Sequence, residues 1–281
     1  DYLDLDFYEE YDQVRDASDG PQFTDWYVGG ELNIAHNVVD RHAAPDSEKR
    51  NKVATLWEGE DGEVREITYH ELHQQTNRVA NALEERGIGT GDTVGLYMPM
   101  VPEIVPLLYG CFKVGAIAVP IFSGFGVDAT ATRIEDAECT VLFTGDGFYR
   151  RGSEVGLKSA ADEAIEEAGH VEHTIVYNRF DSDESDVPWD DSRDEWWEEA
   201  VGTQSDEYET KSLPSDQESM LLYSSGTTGK PKGIVHTHAG GLVQPAKEIF
   251  FSFDHKPSDR FFWVSDIGWM MGPWTLIGNH A

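Results

Sequence analysis

Residues 221–235 read Leu-Leu-Tyr-Ser-Ser-Gly-Thr-Thr-Gly-Lys-Pro-Lys-Gly-Ile-Val. The apolar run Leu221–Tyr223 reads as the end of a buried strand, and Ile234–Val235 can restart one. Between them lies Ser224–Gly233, a loop joining two strands. Gly226, Gly229 and Gly233 permit turns that a Cβ would forbid and let backbone N–H groups approach an anion. Ser224, Ser225, Thr227 and Thr228 add hydroxyl donors, Lys230 and Lys232 add positive charge, and Pro231 stiffens the exit. No acidic residue interrupts these ten, in a chain where 53 of 281 residues are Asp or Glu. Backbone amides, hydroxyls and lysines in one loop suit a polyphosphate. The loop is not a Walker A sequence, because only two residues separate Gly226 from Gly229-Lys230 and Pro231 follows. A bare Gly/Ser/Thr loop is more often only a plain surface turn, the uninterrupted ten-residue string is more specific, and Lys230 and Lys232 read equally as surface lysines.

Outward from this loop the chain alternates between strand and helix patterns. Thr68 and Glu71 form a capping box. Leu72, Val79, Ala80 and Leu83 share one helical face, and Gly87 closes the helix. Thr93–Tyr97 reads as a strand, Pro102–Phe112 as a helix, Ala116–Phe122 as a strand and Thr130–Asp136 as a helical turn. Thr140–Thr144 reads as a strand, Lys158–Ala168 as a helix and Thr174–Tyr177 as a strand. This order predicts an α/β fold with a parallel sheet covered by helices. Residues 1–60 read as an N-terminal wrap with aromatic anchors Phe7, Tyr8, Tyr11, Phe23, Trp26 and Tyr27. Residues 61–180 read as a first α/β subdomain and 181–219 as an acidic connecting loop holding a short helix near Asp194–Val201. Residues 220–281 read as the start of a second subdomain.

The formal charge of −32, from 21 basic and 53 acidic residues, argues against nucleic acid and anionic membrane as partners. With 39% hydrophobic residues and eight tryptophans, disorder is a poor account of that charge. A folded protein adapted to high salt, where screening shortens self-repulsion, is a better one. Cys111 and Cys139 give neither a disulfide framework nor metal-ligand spacing, and they fit a reducing, cytoplasmic interior. No apolar run is long enough to cross a membrane. His236 and His238, two apart, would share one face of a strand, but no further metal ligands accompany them.

Ser224–Gly233 resembles the phosphate-binding loop of the adenylate-forming, AMP-producing acyl-CoA synthetases. Trp26–Ala35, Val39–His42, Ile67–Leu72, Tyr97–Glu103, Gly115–Ile117, Phe122–Phe125 and Ser265–Trp269 resemble the acetyl-CoA synthetase branch, in collinear order. The resemblance implies the large N-terminal domain of that superfamily, stacked sheets covered by helices, cut short at Ala281. The chain would then be an N-terminal fragment, inactive alone and of haloarchaeal origin. The implied reaction activates a short- or medium-chain acid, acetate or propionate foremost, with ATP and Mg2+, and passes the acyl group to CoA. Ser224, Ser225, Gly226, Thr227, Thr228, Gly229, Lys230 and Lys232 would hold the ATP phosphates, with Thr227, Thr228 and Lys230 as catalytic contacts.

Trp269, Met270 and Met271 would line the acyl pocket, although typical acetyl-CoA synthetases carry Val-Thr where Met270-Met271 stand. Arg150 matches the first of two arginines for the 3′-phosphate of CoA. The second falls on Ser153, with Arg151 adjacent, and Met271 would also border CoA. Trp269 reads alternatively as a core residue and the arginines as a solvated pair. Asp266 reads equally as shaping the site or as a turn residue. No metal ligand is identifiable. An adenylating ligase with another acceptor, or a non-catalytic nucleotide-binding module, are the competing readings. From the charge, the midpoint of chemical unfolding is expected to rise steadily from low to multimolar KCl; a flat or falling profile counts against salt adaptation.

Overall fold

A computed structural model describes residues 3–224, 231–256 and 258–281. The N-terminal stretch is built of short pieces: Gln13–Asp16 (β1) paired with Asp25–Val28 (β2), Glu31–Leu32 (β3), and Arg41–Ala43 (α1). A hairpin of Val53–Glu58 (β4) and Val64–Thr68 (β5) leads into the long helix Tyr69–Glu85 (α2). The alternating core follows: Thr93–Leu96 (β6), Ile104–Val114 (α3), Ile117–Pro120 (β7), Val127–Asp136 (α4) and Val141–Gly145 (β8). Next come a hairpin of Gly147–Arg150 (β9) and Ser153–Gly156 (β10), then Lys158–Ala168 (α5) and His173–Tyr177 (β11). Asp194–Trp196 (β12), Trp197–Ala200 (α6) and Leu213–Pro214 (β13) precede Glu218–Ser224 (β14) and Lys232–Thr237 (β15). His238–Ser252 (α7) and Met271–His280 (α8) complete the elements.

Seven strands form one sheet in the order β12-β11-β8-β6-β7-β14-β15. All pair in parallel except β15, which returns antiparallel to β14. The sheet draws strands from both sides of residue 220. Successive residues of a strand face opposite ways, and the core divides accordingly. Ala118, Phe143 and Leu222 face a cluster with Leu83, Leu108 and Phe112 of α2 and α3. Val119, Leu142 and Tyr223 face a second cluster with Ile134, Ala161 and Ile165 of α4 and α5. The result is the three-layer α/β arrangement that the alternating pattern predicts. Helices α2 and α3 cross closely at Gly110, where a Cβ would lie 2.4 Å from Val79 Cγ1.

The expected capping box at Thr68 forms in full, and Gly87 turns the chain out of α2 with φ of +76°. Helix α5 has the expected bounds. Three expectations change. Asp194–Val201 is a strand and then a helix, because Thr174–Val176 of β11 supplies a parallel partner for Asp194–Trp196. His236 and His238 do not share a strand face: Thr237 caps α7, and His238 is the first residue of that helix, fully buried, with Nδ1 accepting the Ile34 amide at 3.2 Å. Of the aromatic anchors, Phe7, Tyr11 and Tyr27 pack together, whereas Phe23 and Trp26 are more than half exposed.

Two buried polar clusters pin the N-terminal stretch. Asp40 accepts from Lys113 Nζ, His73 Nδ1 and Thr210 Oγ1. Burial works to raise the Asp40 carboxyl, but the His73 and Lys113 bonds outweigh it and hold the group at about 2. Burial lowers the Lys113 ammonium in spite of Asp40, so the pair supplies connection more than net electrostatic gain. In the other cluster, His280 shares a hydrogen bond with Tyr109 Oη through Nδ1 and donates to Ala54 O through Nε2, while its own carbonyl accepts from His42 Nε2.

Burial pulls His42 and His238 down to about 3 and His280 to about 4. Each is neutral when folded and takes up a proton on unfolding between the ordinary 6.5 and its folded value. Their contribution to stability is therefore complete above about pH 6.5 and declines as the pH falls toward 4. His280→Gln is expected to flatten the dependence of unfolding free energy on pH between about pH 6 and 5 by ~1.4 kcal/mol per pH unit. An unchanged slope in urea titrations would mean that the folded imidazole is not held neutral.

Candidate functional site

Parallel strands all end at the same edge of their sheet, and ligands of such sheets collect beyond the carboxyl ends. Strand β6 runs out into Tyr97–Glu103, β7 into Ile121–Gly126, β8 into Asp146 and the β9–β10 hairpin, and β14 into the loop that returns as β15. Every segment that carried a candidate residue, apart from the turn before α8, thus leaves one edge. That turn is brought to the same place by packing.

Ser224 and Lys232 are cross-strand partners at the mouth of the β14–β15 loop. Ser225, Gly226, Thr227, Thr228, Gly229 and Lys230 lie outside the described residues. The base of the loop is fixed by Tyr223, whose hydroxyl donates to Asp136 Oδ2 at 2.7 Å. Burial and the Asp136 carboxylate both push the Tyr223 phenol up, so it stays a donor. Arg133 lies 5.4 Å from the Tyr223 ring and 4.2 Å from the Phe125 ring, joining the β14 exit to the β7 exit. Neither Arg133 nor Asp136 was marked by the sequence; their helical spacing in α4 carried no sign of what lay opposite.

Arg150 ends β9 and pairs across the hairpin with Ser153, so both side chains leave the same face of the ribbon. The turn between them has φ of +54° at Arg151 and +75° at Gly152, the hand that suits a two-residue hairpin. Asp146 organises the base of this hairpin. Its buried carboxylate accepts from the amides of Gly147, Arg179 and Phe180 and from Ser182 Oγ, at 2.7–2.9 Å. Its setting between Gly145 and Gly147 at a strand end is the signal that could have found it.

Arg150 faces a cleft of about 330 Å3 that Trp57, Met100, Phe122, Ser123 and Tyr149 also line. Arg179 lies 5.0 Å from the Tyr149 ring and 5.5 Å from Trp57, and Arg65 lies 5.4 Å from Trp57. Arg65 and Arg179 are neutralised by Glu103 and by Asp61 and Glu63, whereas Arg150 has no ion-pair partner among the described residues. An exposed guanidinium in a partly aromatic cleft can take a phosphate. Arg151 and Ser153 do not line this cleft. A larger cavity, about 1090 Å3, opens between residues 41–56 and 246–262, and no candidate residue lines it.

Trp269 is 44% exposed, with its ring 5.6 Å from Phe122 and 6.1 Å from Phe125. Met270 is exposed beside it, and Met271 starts α8, half-buried. Trp269 is therefore not a core residue, and it meets the same Phe122–Phe125 segment that borders the Arg150 cleft. Asp266 is buried, and its carboxylate accepts from Ser123 Oγ at 2.7 Å and from the Gly268 amide at 2.8 Å. Burial raises its carboxyl above the usual range, against those two donors and the Ser123 amide.

The family described as AMP-binding enzyme matches residues 40–279, and the acetyl-coenzyme A synthetase N-terminus family matches residues 2–38. The chain belongs to the AMP-binding enzyme family. It is 46% identical over 253 residues to an acetyl-coenzyme A synthetase of Streptomyces coelicolor, covering 90% of this chain and 38% of that protein. It is 43% identical over 275 residues to one of Mycolicibacterium smegmatis, covering 97% of this chain and 29% of that one. Among solved structures, an acetoacetyl-CoA synthetase from Streptomyces lividans superposes with a TM-score of 0.88 at 28% identity, over 99% of this chain and 41% of that protein. The chain thus spans about two fifths, or less, of the length of these relatives.

Proposed function

We propose that this chain is the N-terminal part of an AMP-forming acyl-CoA synthetase. The observation that carries the reading is convergence: the Ser224–Lys232 loop mouth, the Arg150 cleft and Trp269 gather at the carboxyl edge of one parallel sheet, joined by the Phe122–Phe125 segment. The names of the relatives support acetate as the acid, and propionate is the next candidate. In the first half-reaction a carboxylate oxygen attacks the α-phosphorus of ATP, and the bond to the bridging oxygen breaks to release pyrophosphate. Ser224, Ser225, Gly226, Thr227, Thr228, Gly229, Lys230 and Lys232 hold the β- and γ-phosphates and neutralise the departing charge, with Thr227, Thr228 and Lys230 closest. Mg2+ accompanies the hard phosphate oxygens. In the second half-reaction the CoA sulfur attacks the acyl carbonyl and AMP leaves.

Trp269, Met270 and Met271 bound the acyl group. Methionines are larger and more adaptable than the Val-Thr pair of typical acetyl-CoA synthetases, so they reshape the pocket. Arg150 is the anchor for the 3′-phosphate of CoA, with Ser153 beside it on the same face of the hairpin and Arg151 in the turn. The net charge of −32 supports a halophilic, haloarchaeal source, and two free buried cysteines fit a cytoplasmic location.

The test is acid-dependent ATP–pyrophosphate exchange by the full-length polypeptide in multimolar KCl, across acetate, propionate, butyrate and longer acids, followed by thioester formation on adding CoA. Exchange with a short acid and CoA-dependent release of AMP are expected. A folded, ATP-binding protein that exchanges with no acid sinks the reading. Arg150→Ala is expected to raise the KM for CoA by about 10-fold or more, as befits loss of a charged hydrogen bond. The KM for dephospho-CoA should barely move; equal effects on the two would remove Arg150 from the 3′-phosphate.

A further inference from the structure

Three independent features join the turn before α8 to the segment after β7. The Ser123 hydroxyl donates to Asp266 Oδ2 across 143 positions of sequence. Gly268 lies directly on the β7 exit, where a Cβ would stand 2.2 Å from the Phe122 amide nitrogen and 2.4 Å from its Cα. Phe122 and Phe125 then pack on the exposed ring of Trp269. The carboxylate also accepts the Gly268 amide, so one side chain closes the tight turn that carries Trp269 and grips the opposing segment.

We propose that Asp266 is a positioning residue that sets the Phe122–Phe125 segment against Trp269, so that the acyl side and the CoA side of the site share one joint. The proposal rests on the acyl-CoA synthetase reading. Its direction follows from burial. Asp266, Ile267 and Gly268 are buried, whereas Phe122 and Ser123 are half-buried and Gly124 is exposed. Gly272 packs on the Asp266 carbonyl, where a Cβ would lie 2.4 Å away, and this ties the turn to α8. When the joint is cut, the less buried partner moves, and that partner borders the Arg150 cleft. The cost falls on the step that uses the cleft. Among the described residues Asp266 meets no cation: its donors are the Ser123 hydroxyl and the Gly268 and Ser123 amides, and burial outweighs them and leaves the carboxyl raised.

An amide can replace most of the carboxylate's bonds here, since Oδ1 of Asn still accepts from Gly268 while its Nδ2 donates to the Ser123 hydroxyl, which can turn to accept; only the bond from the Ser123 amide is at risk. This separates positioning from charge. Asp266→Ala, Asp266→Asn and Ser123→Ala would be made in the full-length polypeptide, and exchange and thioester formation measured on each.

Asp266→Ala and Ser123→Ala are expected to raise the KM for CoA by about 10-fold beyond their effect on exchange, roughly one hydrogen bond's worth. Asp266→Asn should restore most of it, and the Ala–Ala double variant should be no worse than Asp266→Ala alone. Exchange and thioester formation falling in parallel, or Asn behaving like Ala, would overturn the joint and leave a residue that only supports the fold. Wild-type protein that performs no exchange would overturn the synthetase reading and take the joint with it.

Discussion

A parallel sheet cannot distribute its exits. Because β8, β6, β7 and β14 run the same way, the segments that follow them must appear at one edge, and the candidate site is built from those segments and the turn before α8. The constraint explains why residues as distant in sequence as Arg150 and Ser224 leave the same edge of the sheet. It also explains the role of β15. By returning antiparallel, it lets β14 enter and leave its loop within a paired frame, Ser224 opposite Lys232, so that the mouth of an otherwise glycine-rich loop is held by ladder hydrogen bonds. The helices supply the second level of control. Arg133, in α4, reaches both the β14 exit and the β7 exit, and among the described residues its charge is met by two aromatic faces and no carboxylate.

The sequence was legible where the physics is local. Thr68 and Glu71 announce a helix start because the two groups satisfy each other's neighbouring amides, and Gly87 announces its end because the turn needs positive φ. The α/β class followed from alternating apolar periods. Residue types marked Ser224, Lys232, Arg150 and Trp269 as candidates, but that Ser224 and Arg150 leave one edge of the sheet came only with the strand order. Where a partner from elsewhere decides the outcome, reading failed. Asp194–Trp196 is too acidic and short to look like a strand, and it is one because β11 lies beside it. His238 looked like a strand residue until Thr237 capped a helix in front of it. The Ser123–Asp266 bond joins residues whose local sequences say nothing about each other, and Asp146 gathers donors from a segment more than thirty residues away.

Charge is handled differently inside and outside. The surface carries the excess of acidic residues, while the interior keeps a few ions under close escort. Lys158 is buried with Asp162 and Asp194, and the Arg193 guanidinium closes the set. This cluster ties α5 to β12, the outermost strand on that side of the sheet. Asp40 and Lys113 do the same between the N-terminal stretch and α3. Replacing such groups by apolar ones is often neutral or stabilising, whereas removing one partner alone leaves an uncompensated buried charge.

The His280 cluster has a consequence in time. Its ring reaches Tyr109 and Ala54, and its carbonyl receives His42, contacts that bridge 171, 226 and 238 positions of chain. The segment around residues 42–54 therefore cannot acquire its final partners until residue 280 has been made. At about 5–20 residues per second of synthesis, that is a wait on the order of ten to fifty seconds. For that interval the first helix and hairpin exist without their closing contacts, their apolar sides held only by whatever the growing chain provides. Long-range closure of this kind slows folding generally, and here it keeps an early part of the polypeptide waiting on a much later one.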